Sequence, residues 1–418
     1  MLFWALSPSI NAQPELDDMP IVDSIHADYI QGVRFYNTES EITMPVLNLG
    51  SGRLVCTFDD HFGEFIDYYY TIKHCDKNWN FTKNIEVSDY LEGPEELQIE
   101  RFAASVNTVR DYVNYEFVFP NQDIQLRWSG NYILVVYDDE GSIVITRRFY
   151  VVDNTLSILV ENTRPFGTGT FNTHQAYNVS LNIEEMNIRN PMQELYVQAF
   201  QNRLNERLTP FMQPSFIQGK YVIFNPMEQV IFPGYKEYRF FDLRTVLQPG
   251  ENVNTIEISR TRATVLLDLD KRREEKSHFS TKESNGAFIL RNFDLPRSNA
   301  KISSEYPDVI FTLKSDFPVN GDVYLIGEFN DFKRDPRFLM EYIPNQGIYN
   351  LEVPLKQGFY NYMYAVDTGE KDLDITVLEG SSFETENEYY SPKQSVYRIP
   401  NYEPVLANAS DSRQSKMQ

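Results

Sequence analysis

The stretch Asp67 to Trp79, DYYYTIKHCDKNW, constrains the fold more than any other. Tyr68, Tyr69 and Tyr70 run into β-branched Thr71 and Ile72. Such side chains suit a pleated, half-buried surface, so the stretch reads as a strand, expected to be central in the first domain. A polar turn from Asp76 to Asn78 closes it, and Trp79 is expected to fold back onto the sheet. Tyr112 to Phe119 has the same character. Val113, Tyr115, Phe117 and Phe119 share one face and Asn114 and Glu116 the other, the period of two of a half-buried strand. Tyr132 to Tyr137 and Ile143 to Val152 predict a hairpin joined by Asp138-Asp139-Glu140-Gly141-Ser142. Strands spaced by turn clusters, with no long helical pattern, predict an all-β chain of tandem β-sandwiches.

At roughly 100–200 residues per domain, a chain of 418 residues has room for two to four domains. Residues 1–12 resemble the remnant of a secretory signal, with a short apolar run Leu2 to Leu6 and a small residue, Ala12, at the cleavage position. Export follows from that pattern. Residues 13–153 are expected to form the first β-sandwich and residues 154–270 the second. Strands of the second are placed near 156–160, 176–183, 195–200, 221–224, 238–241 and 255–258. Residues 271–300 read as a linker with short strands, opened by the solvated charge run KRREEK, Lys271 to Lys276. Residues 301–400 make a third β-sandwich with strands at 308–313, 321–326, 348–355 and 359–366. Gly358 is expected to turn the last two into a tight hairpin. The tail, residues 401–418, is expected to be disordered.

The formal net charge is −22 and the isoelectric point about 4.7. A field of that sign repels nucleic-acid phosphates and anionic lipid heads. No later stretch approaches the ~18 apolar residues of a membrane helix. Cys56 and Cys75 are the only cysteines. If the strands around them made a hairpin turning near Phe62, they would lie roughly 20 Å apart. A disulfide needs Cα atoms within ~7 Å, so two buried free thiols are expected.

No GxSxG, HExxH or P-loop pattern occurs. The histidines, His26, His61, His74, His174 and His278, are scattered. His74 and Cys75, adjacent in a strand, face opposite ways and do not share one tetrahedral ion. The pairs Asp59-Asp60 and Asp138-Asp139 read as turn carboxylates. Asp268 and Asp270 lack the loop of oxygen ligands that calcium needs. The sequence assigns no catalytic, cofactor-binding or metal residue, and no cofactor or small-molecule substrate is expected.

Two resemblances sharpen this reading. GEFNDF (Gly327 to Phe332) and GFYNYMYAVD (Gly358 to Asp367) are similar to the immunoglobulin-like early-set domain found beside glycogen and starch enzymes. Phe332 stands where the sugar-binding members place a tryptophan, and a carbohydrate-binding accessory protein is the alternative reading. Over the whole chain, VCTFDD, DYYYTIKHCDKNW, SDYLEG, FPNQDIQLRWSGNYILVVYDD, TRRFYVV, KQGFYNYMYA and LEGSSFETENEYY resemble, in that order, the plug protein family of the type IX secretion system of Bacteroidota. That resemblance implies a non-enzymatic periplasmic protein. It would dock at the periplasmic mouth of the large outer-membrane translocon barrel and seal it when idle. Neither nucleic acid nor direct membrane insertion is implied. The row Tyr360, Tyr362 and Tyr364 is a candidate anchor for such docking, with sheet-face packing as the structural alternative.

Overall fold

A computed structural model describes residues 19, 21–153, 157–184, 188–204, 209–224, 230–278, 284, 286–295, 299–395 and 405–410. The expected leader, residues 1–12, lies outside them, as do residues 411–418 of the tail. The chain is all-β.

The first unit holds twelve strands: β1 (Ser24–Ile25), β2 (Ile30–Asn37), β3 (Val46–Asn48), β4 (Leu54–Asp60), β5 (Tyr68–Cys75), β6 (Leu91–Glu92), β7 (Glu96–Gln98), β8 (Phe102–Ala104), β9 (Val113–Phe119), β10 (Gln125–Leu126), β11 (Gly130–Asp138) and β12 (Ile143–Val152). One sheet has the order β1-β12-β11-β5-β7, with β3 on β12. The other has the order β2-β4-β9-β8. The expected hairpin of β11 and β12 forms, with Tyr132 opposite Phe149. Its turn is held by the Asp138 carboxylate, which accepts from the N–H groups of Glu140 (3.1 Å) and Ser142 (2.8 Å).

The tyrosine strand β5 is interior but not central; that place belongs to β11. Nor does β5 form a hairpin with β4. The chain crosses between sheets there, because both strands carry an apolar face that must reach one core. Tyr68, Tyr70 and Ile72 meet Phe58, Tyr115, Phe117 and Phe119 from the opposite sheet. Phe58 stacks on Tyr115 at 5.1 Å, and Tyr68 meets Tyr115 edge-on at 4.9 Å. Aromatic pairs in these geometries contribute beyond their buried area. Trp79 does fold back, edge-on to Tyr150 at 5.4 Å and beneath the Arg148 guanidinium at 4.9 Å.

Both cysteines are free and buried, one in each sheet. Burial pushes the Cys56 thiol up to about 12 and raises that of Cys75 as well. Thiolate is the reactive form, so the native chain should resist a thiol-disulfide dye and release two equivalents only on unfolding. Rapid native labelling of either thiol would contradict this burial.

The middle unit comprises β13 (Ser157–Thr163), β14 (His174–Asn182), β15 (Phe200–Gln201), β16 (Pro214–Gln218), β17 (Tyr221–Phe224) and β18 (Val230–Pro233). Its main sheet runs β13-β14-β17-β16, with β18 on β14. Val179, Leu181, Val222 and Phe224 of that sheet pack against Leu195 and Val197.

The third unit begins earlier than expected. Its strands are β19 (Arg239–Asp242), β20 (Val253–Ile258), β21 (Ala263–Leu267), β22 (Asp270–Lys271), β23 (Phe288–Leu290), β24 (Asp308–Lys314), β25 (Asp322–Ile326), β26 (Glu341–Ile343), β27 (Ile348–Pro354) and β28 (Gly358–Asp367). One sheet has the order β19-β28-β23, with β25 also on β28. The other runs β20-β21-β24-β27-β26, with β22 on β24. The strands near 238–241 and 255–258 therefore belong here rather than to the middle sandwich, and 154–270 is not one unit. Residues 271–300 are not a linker: β23 fills a place beside β28, and Arg273 of the charge run is buried. Gly358 makes no hairpin, since β27 and β28 lie in different sheets. A Cβ there would come within 2.5 Å of the Ile289 carbonyl oxygen, so glycine permits the β23–β28 approach. The tail contains a strand. β29 (Tyr389–Ser395) pairs with both β15 and β30 (Val405–Ser410), so 401–418 is not wholly irregular.

Candidate functional site

The residues that looked chemically suggestive are tied up in packing. Asp59 and Asp60 are the last two residues of β4 and are fully buried rather than in a turn. Asp60 accepts from the Tyr68 hydroxyl (2.9 Å). The outer face of β4 and β9, which alternation assigns to solvent, is covered by the third unit. There Lys356 Nζ meets Asp59 Oδ2 at 2.6 Å, both side chains 1% exposed. Lys356 also donates to the Lys301 carbonyl (2.5 Å) and lies 4.3 Å from the Tyr112 ring centroid. The Tyr306 hydroxyl (2.5 Å) and the Asn114 amide (2.8 Å) donate to the same carboxylate. Burial lowers the Lys356 pKa and the Asp59 charge opposes that shift. Around this pair, Tyr112 donates to the Ser304 carbonyl (2.9 Å), Arg110 pairs with Asp308 (3.0 Å), and Lys301 pairs with Glu116.

GEFNDF forms a second junction. Gly327 leads into a 3₁₀ turn, Glu328–Asn330, after which Asp331 and Phe332 both take positive φ (56°). Neither residue is β-branched, and an aspartate is tolerated there better than most. The turn aims Asp331 at Arg147 of the first unit (3.3 Å) and Glu328 at Arg203 of the middle unit (2.5 Å). Lys333 donates to the Asp23 carbonyl, and Asp23 pairs with Arg148 (3.4 Å). Phe332 is not a sugar platform: it is buried, packing on Tyr238 at 6.1 Å. Phe332 therefore presents no ring face for the sugar stacking that the carbohydrate alternative places there.

The tract LEGSSFETENEYY is a strap between the third and middle units. Gln175 donates to the carbonyls of Phe383 (2.6 Å) and Thr385 (2.7 Å), and Thr385 donates to Tyr235 (2.9 Å). Asn387 donates to the Gly234 carbonyl (2.8 Å) and to Gln175 (3.0 Å). At its start Glu379 is fully buried between Arg239 (2.9 Å) and Arg273 (2.6 Å), and accepts from the Tyr364 N–H (2.9 Å). Burial alone raises the Glu379 pKa, but the two guanidinium groups hold it at about 2.

The tyrosine row of β28 is core, not anchor. Tyr360, Tyr362 and Tyr364 are all buried, and the last two donate to Asp270 at 2.7 and 2.8 Å. His74 and Cys75 do face opposite ways. The His74 ring lies edge-on to Tyr132 at 4.9 Å within the sandwich, while Cys75 packs with Ile133 and Val135 on the outer side. Burial lowers the pKa of His61 and of His74 to about 4. Among the described residues no group of histidine, cysteine or carboxylate side chains is placed to hold a metal, and no helix is long and apolar enough to cross a membrane.

Sequence patterning missed one feature of the surface. Phe62, Phe65 and Phe102 of the first unit are 58%, 63% and 45% exposed, and the rings of Phe65 and Phe102 touch at 5.4 Å. The only early signal was that Phe62 and Phe65 fall in the turn-rich segment before β5.

Residues 30–153 match the family described as the type 9 secretion system plug protein 1st domain. No curated protein matches the chain. A crystal structure of a hypothetical protein from Parabacteroides merdae superposes with a TM-score of 0.86 at 26% identity, covering 94% of this chain and 100% of that one. An alkylpurine DNA glycosylase from Pseudomonas fluorescens, bound to DNA containing an abasic site analog, reaches a TM-score of only 0.15. Its identity is 12% over 29% of each chain.

Proposed function

We propose that this chain, whose residues 30–153 match the type 9 secretion system plug protein 1st domain, is a non-enzymatic plug. It docks at the periplasmic mouth of the large outer-membrane translocon barrel and seals that barrel when idle. The observation that carries the reading is the family match over residues 30–153. The architecture is suited to the task. A pore wide enough for folded cargo needs a broad stopper, and a preformed surface binds without a large ordering cost. Here the buried ion pair Asp59–Lys356 and the half-buried pair Asp331–Arg147 join the first unit to the third, and the half-buried pair Glu328–Arg203 joins the third to the middle. The acidic charge fits a soluble periplasmic protein that neither inserts into lipid nor binds nucleic acid.

The reading predicts that the full chain copurifies with an outer-membrane translocon from mildly solubilised envelopes. It also predicts that deletion makes the outer membrane permeable to large solutes while the translocon is intact. A free protein under every mild condition, or an equally tight membrane after deletion, sinks it.

A further inference from the structure

We infer that the outer edge of β8, with the Phe65–Phe102 ring pair beside it, is where an extended segment of the translocon partner adds as a strand. The inference rests on the plug reading and names the surface that reading leaves open. Strand β8 ends its sheet and pairs only with β9 among the described residues. The Arg101 carbonyl accepts from Glu116, and the Ser105 N–H donates to Tyr112. In an antiparallel ladder the bonded positions alternate, so Phe102 and Ala104 turn their backbone N–H and C=O groups outward. Most edge strands are protected by charge, proline or a covering loop. This one reads Phe102-Ala103-Ala104, exposed throughout. The two alanines leave room for a second backbone to approach at strand spacing.

Beside the edge, Phe102 packs at a tilt against core residue Tyr115 at 5.5 Å, and Phe65 packs against Phe102 at 5.4 Å. The two rings make an apolar shelf at which one side chain of an added strand is received. The shelf is flanked by exposed Glu64, Asp67 and Glu100. Arg101, which shares Glu116 with Lys301, offsets only part of that charge and leaves the flank net acidic. Charge complementarity therefore specifies the occupant: an extended segment with apolar side chains facing the shelf and lysine or arginine at its ends. The edge is also short. Just beyond it Val106 donates to Ile302 of the third unit, which blocks longer additions such as open-ended self-pairing.

The test places benzoyl-phenylalanine at position 65 or 102 of the full chain in cells, keeping an aromatic ring at each site. Positions 247 and 317, both 79% exposed but remote in sequence from this edge, serve as controls. Photocross-links from 65 and 102 to a segment of the barrel, with none from the controls, are expected. Ala104→Pro removes an outward N–H without breaking the β8–β9 ladder, and should lower retention on the translocon at least tenfold. Glu64→Lys with Glu100→Lys should do the same. If wild type copurifies but these variants are retained equally and 65 and 102 do not cross-link, the inference falls alone. Cross-links joining two copies of the chain also overturn it. If wild type does not copurify, the plug reading falls and this inference falls with it.

Discussion

Lys356→Ala is expected to lower the unfolding free energy by about 3–5 kcal/mol, the range for removing one partner of a buried ion pair. Asp59 would be left charged in a site 1% exposed, with only the Tyr306 hydroxyl and Asn114 amide for compensation. The lost cation also vacates space against the Tyr112 ring. The double variant Asp59→Asn with Lys356→Met should recover much of the loss, because a well-packed neutral pair avoids the desolvation that charges incur. Urea denaturation midpoints of the wild type and the two variants decide the matter. Because the pair joins β4 to the third unit, the single variant should also separate the transition into two phases. An unchanged midpoint for Lys356→Ala would mean that the junction is not held by this pair.

Glu379→Ala should be comparably severe, again roughly 3–5 kcal/mol. Two guanidinium groups, Arg239 and Arg273, would lose their shared carboxylate, and Arg239 would keep Asp270 alone (2.6 Å). Glu379→Gln preserves shape and one acceptor, so its loss should be smaller. The wild-type group also sets an acid limit. Its folded pKa of about 2 lies below the ordinary 4.5, so its contribution is fully present above 4.5 and is lost as pH falls through about 2. His61 and His74 act earlier. Held neutral at about 4 against an ordinary 6.5, they favour the folded state above 6.5 and cease to do so as pH falls towards 4. Thermal melts should therefore decline in two stages, and Glu379→Gln should flatten only the lower one. A melting temperature independent of pH between 2 and 7 would refute both attributions.

The strands of the first unit were legible because alternation is local. Val113, Tyr115, Phe117 and Phe119 could face only one way, and all four are in the core. The hairpin of β11 and β12 was legible for the same reason, aided by a turn that Asp138 caps with its own side chain. Strand positions in the third unit, at 308–313 and 359–366, followed from the same pattern. The segment 239–270 was misallocated because proximity along the chain favoured its neighbours, whereas β19 completes a sheet with β28, more than a hundred residues away. KRREEK read as solvated because it mixes both signs of charge, and nothing local marks Arg273 as the partner of Glu379. The edge of β8 was invisible for the opposite reason: a strand of three residues has no period to detect.

Residue order alone fixed the all-β class, the aromatic cores and the acidic exterior, since each depends on short-range pattern or on bulk composition. Docking of the units assigned the polar faces. Asn114 and Glu116 look solvent-facing by alternation, yet they lie beneath the third unit. Asp59 and Lys356 stand 297 residues apart and become partners only when two finished sheets meet. A carboxylate at the end of a strand carries no mark of whether water or a distant lysine will neutralise it. That is settled by which surfaces exclude water when the units close on one another.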